Sequence, residues 1–373
     1  MTKVKTVCIT FLGNPYHDTR VSNLQRSLKQ NGMEVKIIAF DWQTPQFKTV
    51  RGDTTIYKLT KSKFSLIFYF KFILLLLKTI PKIKADFYFA EDIYVLPITL
   101  FIAHLRGVKI AYNSRELYSH VGGLSQKKKR QWLLSLLEKL FIKKADIILT
   151  TGELDANYLE KVYGVSNLHV LRNLPEYKPD LEKINLHKLL KIPDDRFILL
   201  YQGVLHGGRG ISLVLNAIKD LPAVHFVIIG EGVYKDKLLN ESIKLGIKNR
   251  VHFLGSVNQN ELLSFTKGAD LGVALIENIS LSYYYALPNK LFEYIMASVP
   301  VLVTNLPQMA KVVEAYKVGE IVKEENPDEV KTIIKKLMSS RDLLLEYKQN
   351  CIKASKELNW EVEFENLKNS LFK

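Results

Sequence analysis

The chain has 373 residues, 47% of them hydrophobic and 24% charged, so it carries enough apolar material for a large core and is not globally disordered. Its formal net charge of +15 calls for an anionic partner: a nucleotide, a nucleic acid or an acidic membrane surface. Its two cysteines, Cys8 and Cys351, stand far apart in no metal or redox spacing, which argues against a disulfide scaffold and fits a reducing cytoplasm.

Met1 to Lys5 runs straight into an apolar strand pattern, Thr6 to Leu12, so no secretory leader is expected. A turn at Gly13-Asn14-Pro15 follows, then a helix from about Val21 to Asn31-Gly32 and a strand over Val35 to Phe40. The apolar run Phe64 to Leu77 is broken by Lys71 and surrounded by Lys61, Lys63, Lys78, Lys82 and Lys84. At about 1.5 Å per residue it reaches only about 21 Å, short of the roughly 30 Å hydrocarbon core of a bilayer. Two readings stand: a helix lying in a membrane interface, and a core-facing helix whose lysines are simply solvated. Further along, strands are expected at Asp86–Phe89, Lys109–Asn113, Asp146–Thr150 and Leu168–Leu171. Helices lie between them, one of which carries Gln126-Lys127-Lys128-Lys129-Arg130 ahead of Trp132 to Leu137, with Lys143-Lys144 behind.

The second half repeats the alternation, with strands at Phe197–Gln202, His225–Ile229, Val251–Leu254, Leu271–Leu275 and Val299–Val303. Strands alternating with helices imply parallel sheets covered on both faces. The expected architecture is α/β, two doubly wound Rossmann-like domains facing across a cleft, with ligands beyond the C-terminal strand ends. The boundaries read as 1–180 for an acceptor-binding domain, 181–195 for a linker within the Pro- and charge-rich stretch Pro175 to Asp195, and 196–345 for a donor-binding domain. C-terminal helices over 346–373 are expected to pack back toward the first domain.

Three constellations could carry chemistry. Gly203 to Gly210 joins a strand to a helix, where Gly203 and Gly208 let a phosphate approach and Arg209 can fork onto its oxygens. The plainer alternative is an ordinary turn with a surface arginine. Gly230-Glu231-Gly232 closes the next strand, either as a loop under a nucleotide or as a turn needing positive φ. Leu287-Pro288-Asn289-Lys290-Leu291-Phe292-Glu293 starts a short helix, with Pro288 suited to its first position and Leu291, Tyr294, Ile295 and Ser298 spaced for one buried face. A carboxylate and a cation near free backbone N–H groups can grip a sugar diol and a phosphate, although Glu293 could simply complement the helix dipole.

Taken together and in order, these elements resemble the donor domain of retaining, GT-B-fold glycosyltransferases of family four. The likeness also includes Tyr201-Gln202-Gly203, Val251-His252-Phe253-Leu254-Gly255, Ala269-Asp270-Leu271-Gly272-Val273 and Pro300-Val301-Leu302-Val303, with a late Trp360. The first half is similar to the family's acceptor domain through Asp18-Thr19-Arg20-Val21, Tyr112-Asn113-Ser114-Arg115-Glu116-Leu117, Ala145-Asp146 and Arg172-Asn173. The resemblance implies that Glu293 holds the ribose of a nucleoside-diphosphate sugar, with UDP or GDP favoured over ADP. Arg209 would neutralise the diphosphate, helped by the backbone of Leu287 to Lys290 and by the Lys290 amine, with Arg209, Lys290 and Glu293 as the catalytic set and Gly230 and Glu231 also in the donor site. No metal or other cofactor is called for, since these cations take that work and no His or Asp cluster has ligand spacing.

Three departures from the family pattern stand out. Tyr285 replaces a second Glu eight positions before Glu293, Val204 replaces an Arg after the first glycine, and Arg115 replaces a His before Glu116. On the acceptor side the candidates are Gly13, His17, Glu91, Asp92, Arg115 and Glu116. Asp92 and Asp18 also read as helix caps, and Arg115 as an anion holder or a plain surface arginine.

The leading expectation is a transferase that moves a sugar, a hexose, onto a glycan or lipid-linked acceptor in cell-surface polysaccharide or glycolipid synthesis. It would work in the cytoplasm at the inner face of the plasma membrane, against an anionic surface. A degenerate nucleotide-sugar binder or a partner subunit of an active transferase is the alternative. An epimerase lacks its acidic and histidine set here, and a nucleic-acid partner is not expected because base-stacking and groove-reading motifs are missing.

Overall fold

The computed structural model describes residues 5–42, 44, 46–60, 65–121 and 127–371. Met1 to Val4, Lys61, Lys63, Phe64 and Gln126 lie outside these. The chain divides into two compact units, Met1–Asn173 with Glu363–Lys373, and Leu174–Val362.

Unit 1 runs β1 (Thr6–Leu12), α1 (Thr19–Gln30), β2 (Glu34–Asp41), β3 (Lys48–Arg51), β4 (Thr54–Lys58), α2 (Ser65–Thr79), β5 (Phe87–Ala90), α3 (Leu96–Leu105), β6 (Lys109–Ser114), α4 (Lys128–Phe141), β7 (Ile147–Thr150), α5 (Glu153–Tyr163) and β8 (Leu168–Val170). Its sheet has the order β3-β4-β2-β1-β5-β6-β7-β8, parallel except where β3 pairs antiparallel with β4. The β3–β4 hairpin extends the sheet beyond the strands that alternation of apolar runs reveals. Val7 to Phe11 are buried on both faces of β1, as a strand central to a covered parallel sheet requires. Asp18 caps α1 by accepting the Val21 N–H at 2.9 Å. Glu363 accepts from the Arg172 guanidinium at 2.7 Å and from its backbone N–H at 2.7 Å, which ties the last segment of the chain into this unit.

Unit 2 runs α6 (Leu186–Leu190), β9 (Phe197–Gln202), α7 (Ile211–Ile218), β10 (Val224–Ile229), α8 (Lys235–Lys244), β11 (Val251–Gly255), α9 (Gln259–Thr266), β12 (Leu271–Ala274), α10 (Leu281–Tyr284), α11 (Asn289–Met296), β13 (Val301–Thr304), α12 (Pro307–Tyr316), β14 (Gly319–Val322), α13 (Pro327–Ser339) and α14 (Arg341–Ser355), and α15 (Trp360–Leu371) begins in it. Six parallel strands lie in the order β11-β10-β9-β12-β13-β14. Side chains alternate faces along each strand. Ile198, Leu200, Val227 and Ile229 therefore join one core layer, and Leu199, Tyr201, Phe226 and Ile228 the other.

Two sequence expectations change here. Residues 181–195 do not hang between the units. Leu186 and Ile192 are buried in the unit 2 core, with Leu181 and Ile184 packed against it, so the apolar members of this charged stretch outweigh its Pro and charge content. The division instead falls at Asn173/Leu174, and of the C-terminal stretch only Glu363–Lys373 belongs to unit 1, while α14 packs on α11, α12 and α13 of unit 2. Among the described residues, no helix is long and apolar enough to cross a membrane.

Candidate functional site

The donor-side candidates gather at the C-terminal ends of the unit 2 strands. Adjacent strands β9 and β10 each lead into a glycine and β11 ends in one, and main chain links them: the Gly203 N–H donates to Ile229 O at 2.9 Å, and the Gly230 N–H to Gly255 O at 2.8 Å. Gly230 has φ +139°, and a Cβ there would lie 2.0 Å from Gly203 O, so no other residue fits without moving the backbone. Leu205 N–H closes the set on Glu231 O at 2.9 Å.

Helix α11 is seated by its Tyr294. The ring lies against Gly272, where a Cβ would come within 2.4 Å of it. Its hydroxyl accepts the Gln202 N–H at 3.2 Å and faces Leu200 O at 3.1 Å and Val273 O at 3.2 Å. Leu291, Phe292 and Ile295 enter the same core, which fixes Lys290 and Glu293 over the end of β9. Pro288 is the residue just before this helix (φ −76°, ψ 145°), not its first residue: it is extended and its carbonyl accepts the Leu291 N–H at 3.1 Å. Glu293 consequently sits in the second turn, away from the unpaired N–H groups of the first. Ser298 lies beyond the helix with φ +59° and is only half-buried.

The Glu293 carboxylate instead accepts from Gln202 Nε2 at 2.5 Å, and Gln202 Oε1 accepts from Thr266 Oγ1 at 2.7 Å. Burial raises the Glu293 pKa above its usual 4.5, against the lowering effects of Gln202 and Lys290. Lys290 is 8% exposed and its Nζ stands 3.6 Å from the centre of the Tyr201 ring. Burial and then the nearby Arg209 push its pKa well below 10.5, with Glu293 opposing. A Cβ on Gly203 would meet Lys290 Nζ at 3.3 Å, so this amine borders the glycine turn. Arg209 is half-buried, its guanidinium 5.2 Å from the Tyr283 ring centre. The turn it belongs to is pinned by Glu277, whose N–H donates to Gly208 O at 3.1 Å and whose carboxylate accepts the Gly210 N–H at 3.2 Å.

The other donor candidates are peripheral to this cluster. Glu231 is exposed and ion-paired with Lys235 at 2.8 Å, Asn289 is exposed, and Leu287 packs half-buried on the core. Tyr285 ends α10, where its carbonyl accepts from Gln308 Nε2 at 2.5 Å. Sequence reading passed over Gln202 as a site residue, and also Thr266 and Glu277. Gln202 and Glu293 are 91 positions apart, and only the register of β9 against α11 brings them together.

In unit 1 the candidates lie beyond the ends of neighbouring strands β1, β5 and β6. The Gly13 N–H donates to Phe40 O at 2.9 Å, and His17 is exposed. Asp92 serves the backbone: it accepts from Leu12 N at 2.7 Å, Tyr94 N at 2.8 Å and Val95 N at 3.0 Å. Arg115 lies over the Phe11 ring and donates from Nη2 to both Asp18 oxygens, at 2.8 and 2.7 Å, while Glu116 beside it is exposed. Arg115 is thus neither a free surface group nor a base. Glu91 is fully buried, which raises its pKa against the pull of Arg115 and Arg20, and its Oε2 accepts from Asn113 Nδ2 at 2.9 Å. Among the described residues, Glu91 Oε1, Asn113 Oδ1 and both Nε and Nη2 of the buried Arg20 have no hydrogen-bond partner. Such groups are costly to leave unmet. Among the described residues, no group of three or more His, Cys, Asp or Glu side chains could hold a metal ion.

Two family models match: "Glycosyltransferase Family 4" over residues 18–174 and "Glycosyl transferases group 1" over 182–358. Among curated proteins, an uncharacterized glycosyltransferase of Methanocaldococcus jannaschii is 28% identical over 161 residues, 42% of this chain and 40% of that protein. A second from the same organism is 25% identical over 221 residues, 56% of this chain and 48% of its own. The chain thus aligns with less than half the length of these curated relatives. Among solved structures, the fold is similar to a sucrose-phosphate synthase from Thermosynechococcus elongatus (TM-score 0.80, 15% identity, 98% of each chain). It is also similar to WaaG, a glycosyltransferase of lipopolysaccharide biosynthesis (0.74, 17%, 98% of this chain and 99% of that one), and to Anabaena HepE bound to UDP and glucose (0.75, 15%, 99% of each). With both halves matched by family models and the two-sheet architecture shared, the chain belongs to the GT-B-fold glycosyltransferases of the family-four type.

Proposed function

We propose that the protein is a retaining glycosyltransferase, acting on hexoses, that takes a nucleoside-diphosphate sugar on unit 2 and an acceptor on unit 1. The observation that carries this reading is the Lys290 ammonium: it is buried beside Arg209 at the glycine turns, and its pKa is pushed down. Two cations at main-chain turns are arranged to receive an anion, and a diphosphate supplies the missing charge. In this reading Glu293 accepts hydrogen bonds from the ribose hydroxyls, which its anchoring by Gln202 supports. The uridine nucleotide carried by HepE supports UDP as the donor nucleotide, with GDP the other candidate.

In the reaction the bond between the anomeric carbon and the β-phosphate oxygen breaks, and its electron pair leaves with the nucleoside diphosphate. The acceptor hydroxyl forms the new bond on the same face and gives its proton to the departing phosphate. Arg209 and Lys290 stabilise the charge that accumulates there. The partnerless polar atoms of the buried Arg20, Glu91 and Asn113, with Arg115 at their edge, support this part of unit 1 as the side that receives the hydroxyls of a glycan or lipid-linked acceptor. Synthesis of cell-surface polysaccharide or glycolipid from cytoplasmic sugar nucleotides is the setting this chemistry fits.

Calorimetry with UDP, GDP, ADP and their sugars tests the reading. Saturable binding of one nucleotide, with hydrolysis or transfer of its sugar, is expected. Binding without any turnover would leave a sugar-nucleotide binder, and no binding of any of them would overturn the proposal.

A further inference from the structure

We propose that the face of unit 1 built by α2, α3 and α4 is a docking surface for anionic phospholipid bilayers. The chain crosses its sheet from β4 to β5, β6 and β7 in one direction. Right-handed crossovers therefore place the three connecting helices on one face, and α3 packs against both α2 and α4.

All three helices leave apolar side chains outside. Helix α2 turns Phe72 and Leu76 inward, while Phe70, Ile73, Leu74 and Leu77 are exposed, Phe70 at 63%. Helix α3 exposes Phe101 and Leu105. Helix α4 inverts the usual pattern: its one buried residue is Glu138, and Trp132, at 65%, and Leu133 face outward. Glu138 accepts from Tyr112 Oη at 2.8 Å, Tyr163 Oη at 3.0 Å and Ser114 Oγ at 3.2 Å. A polar pin thus holds this helix to the sheet, with Leu134, Leu136, Leu137 and Phe141 half-buried and Trp132, Leu133 and Leu140 left outside. Apolar exposure on this scale marks an interaction site.

Charge identifies the partner. Residues 65–84, 96–105 and 127–144 contain eleven Lys or Arg and one acidic residue, Glu138, which is buried. These three helices and their flanks are therefore apolar and cationic, with no exposed acid among them. A second copy of this face would oppose cation to cation, and aliphatic side chains such as Leu74 and Leu133 offer nothing to bases or phosphates. An anionic bilayer satisfies both features: apolar side chains enter the headgroup–acyl boundary while lysines reach the phosphates. Since no described helix can span a bilayer, the contact is peripheral. The inference stands apart from the transfer reaction, and its test uses no sugar nucleotide.

The test is sedimentation of the full chain with vesicles of phosphatidylcholine alone and of equal parts phosphatidylcholine and phosphatidylglycerol. Binding to the anionic vesicles is expected, with much less to the neutral ones and release as salt rises. Each basic residue near the surface is worth about 1 kcal/mol, about fivefold in partitioning, so K127Q/K129Q/R130Q should bind roughly a hundredfold more weakly. F70S/L74S/W132S, all at exposed positions, should also lose binding, and brominated lipids should quench the Trp132 fluorescence that a W132F variant identifies. Absence of binding to both vesicles, wild-type binding by both variants, or a concentration-dependent dimer that F70S/L74S/W132S dissolves would each overturn the inference.

Discussion

Replacing Glu293 by alanine should separate ligand binding from folding. The substitution removes the partner of Gln202 Nε2, now at 2.5 Å, and leaves a buried amide donor unmet, at a cost of about 1–3 kcal/mol. It also removes a carboxyl that burial already disfavours in its charged form, a gain of opposite sign and similar size. The melting temperature should therefore move little. Binding has no such offset, because each hydrogen bond from a ribose hydroxyl to a charged acceptor is worth about 1.5–3 kcal/mol, roughly 10- to 150-fold in Kd. Glu293→Gln keeps an acceptor for Gln202 and should fall between wild type and alanine. Isothermal calorimetry on folded variants, checked by circular dichroism, measures the effect. An unchanged Kd for the nucleotide in folded Glu293→Ala would falsify the ribose assignment.

Other expectations follow from the same geometry. Gly230→Ala puts a Cβ 2.0 Å from Gly203 O and should cost more than about 3 kcal/mol, whereas Gly246→Ala, at φ +70° with nothing within 4 Å, should cost only about 1–2 kcal/mol. Equal melting temperatures for the two variants would contradict the interlocked-turn account. Because burial lowers the Lys290 pKa and an arriving diphosphate raises it, nucleotide binding at a pH between the lowered value and 10.5 should take up protons. Calorimetry in buffers of different ionisation enthalpy detects this uptake, and Lys290→Met should abolish it. His225 bonds through Nδ1 to His252 Nε2 at 3.0 Å, and burial, then His252, lowers its pKa from 6.5 to about 4. Between those values the unfolded chain binds more protons than the native one, so stability should fall as pH drops from 6.5 toward 4. His225→Gln should flatten that slope in a melting series, and an unaltered slope would point to other groups.

The apolar runs made most of the fold legible, because strands of a covered parallel sheet are buried on both faces and stand out as continuous Val, Ile, Leu and Phe. Strands such as Thr6–Leu12 and Phe197–Gln202 coincide with the residues expected. The β3–β4 hairpin escaped because Lys48–Arg51 is exposed and polar, pairing only with its neighbour at the sheet edge. The stretch 181–195 misled because its charges are on the surface while Leu186 and Ile192 beneath them are buried. At the site, glycines and the Lys290–Glu293 spacing were visible as a local pattern. Gln202 was not, since a glutamine at a strand end acquires meaning only through α11 above it. Asp92 was legible as a cap, but its bond from the Leu12 N–H and the Asp18 grip on Arg115 likewise depend on strand order.

The three glycine turns at the ends of β9, β10 and β11 hold one another through amides and carbonyls rather than through side chains. Divergence among descendants is thereby partitioned. Mutations at the exposed neighbours Val204, His206 and Val233 leave this scaffold untouched and are free to accumulate, whereas the glycine at Gly230 is frozen by sterics alone. A lineage built on such turns can change its preferred ligand by drifting around a fixed backbone, without first having to rebuild it.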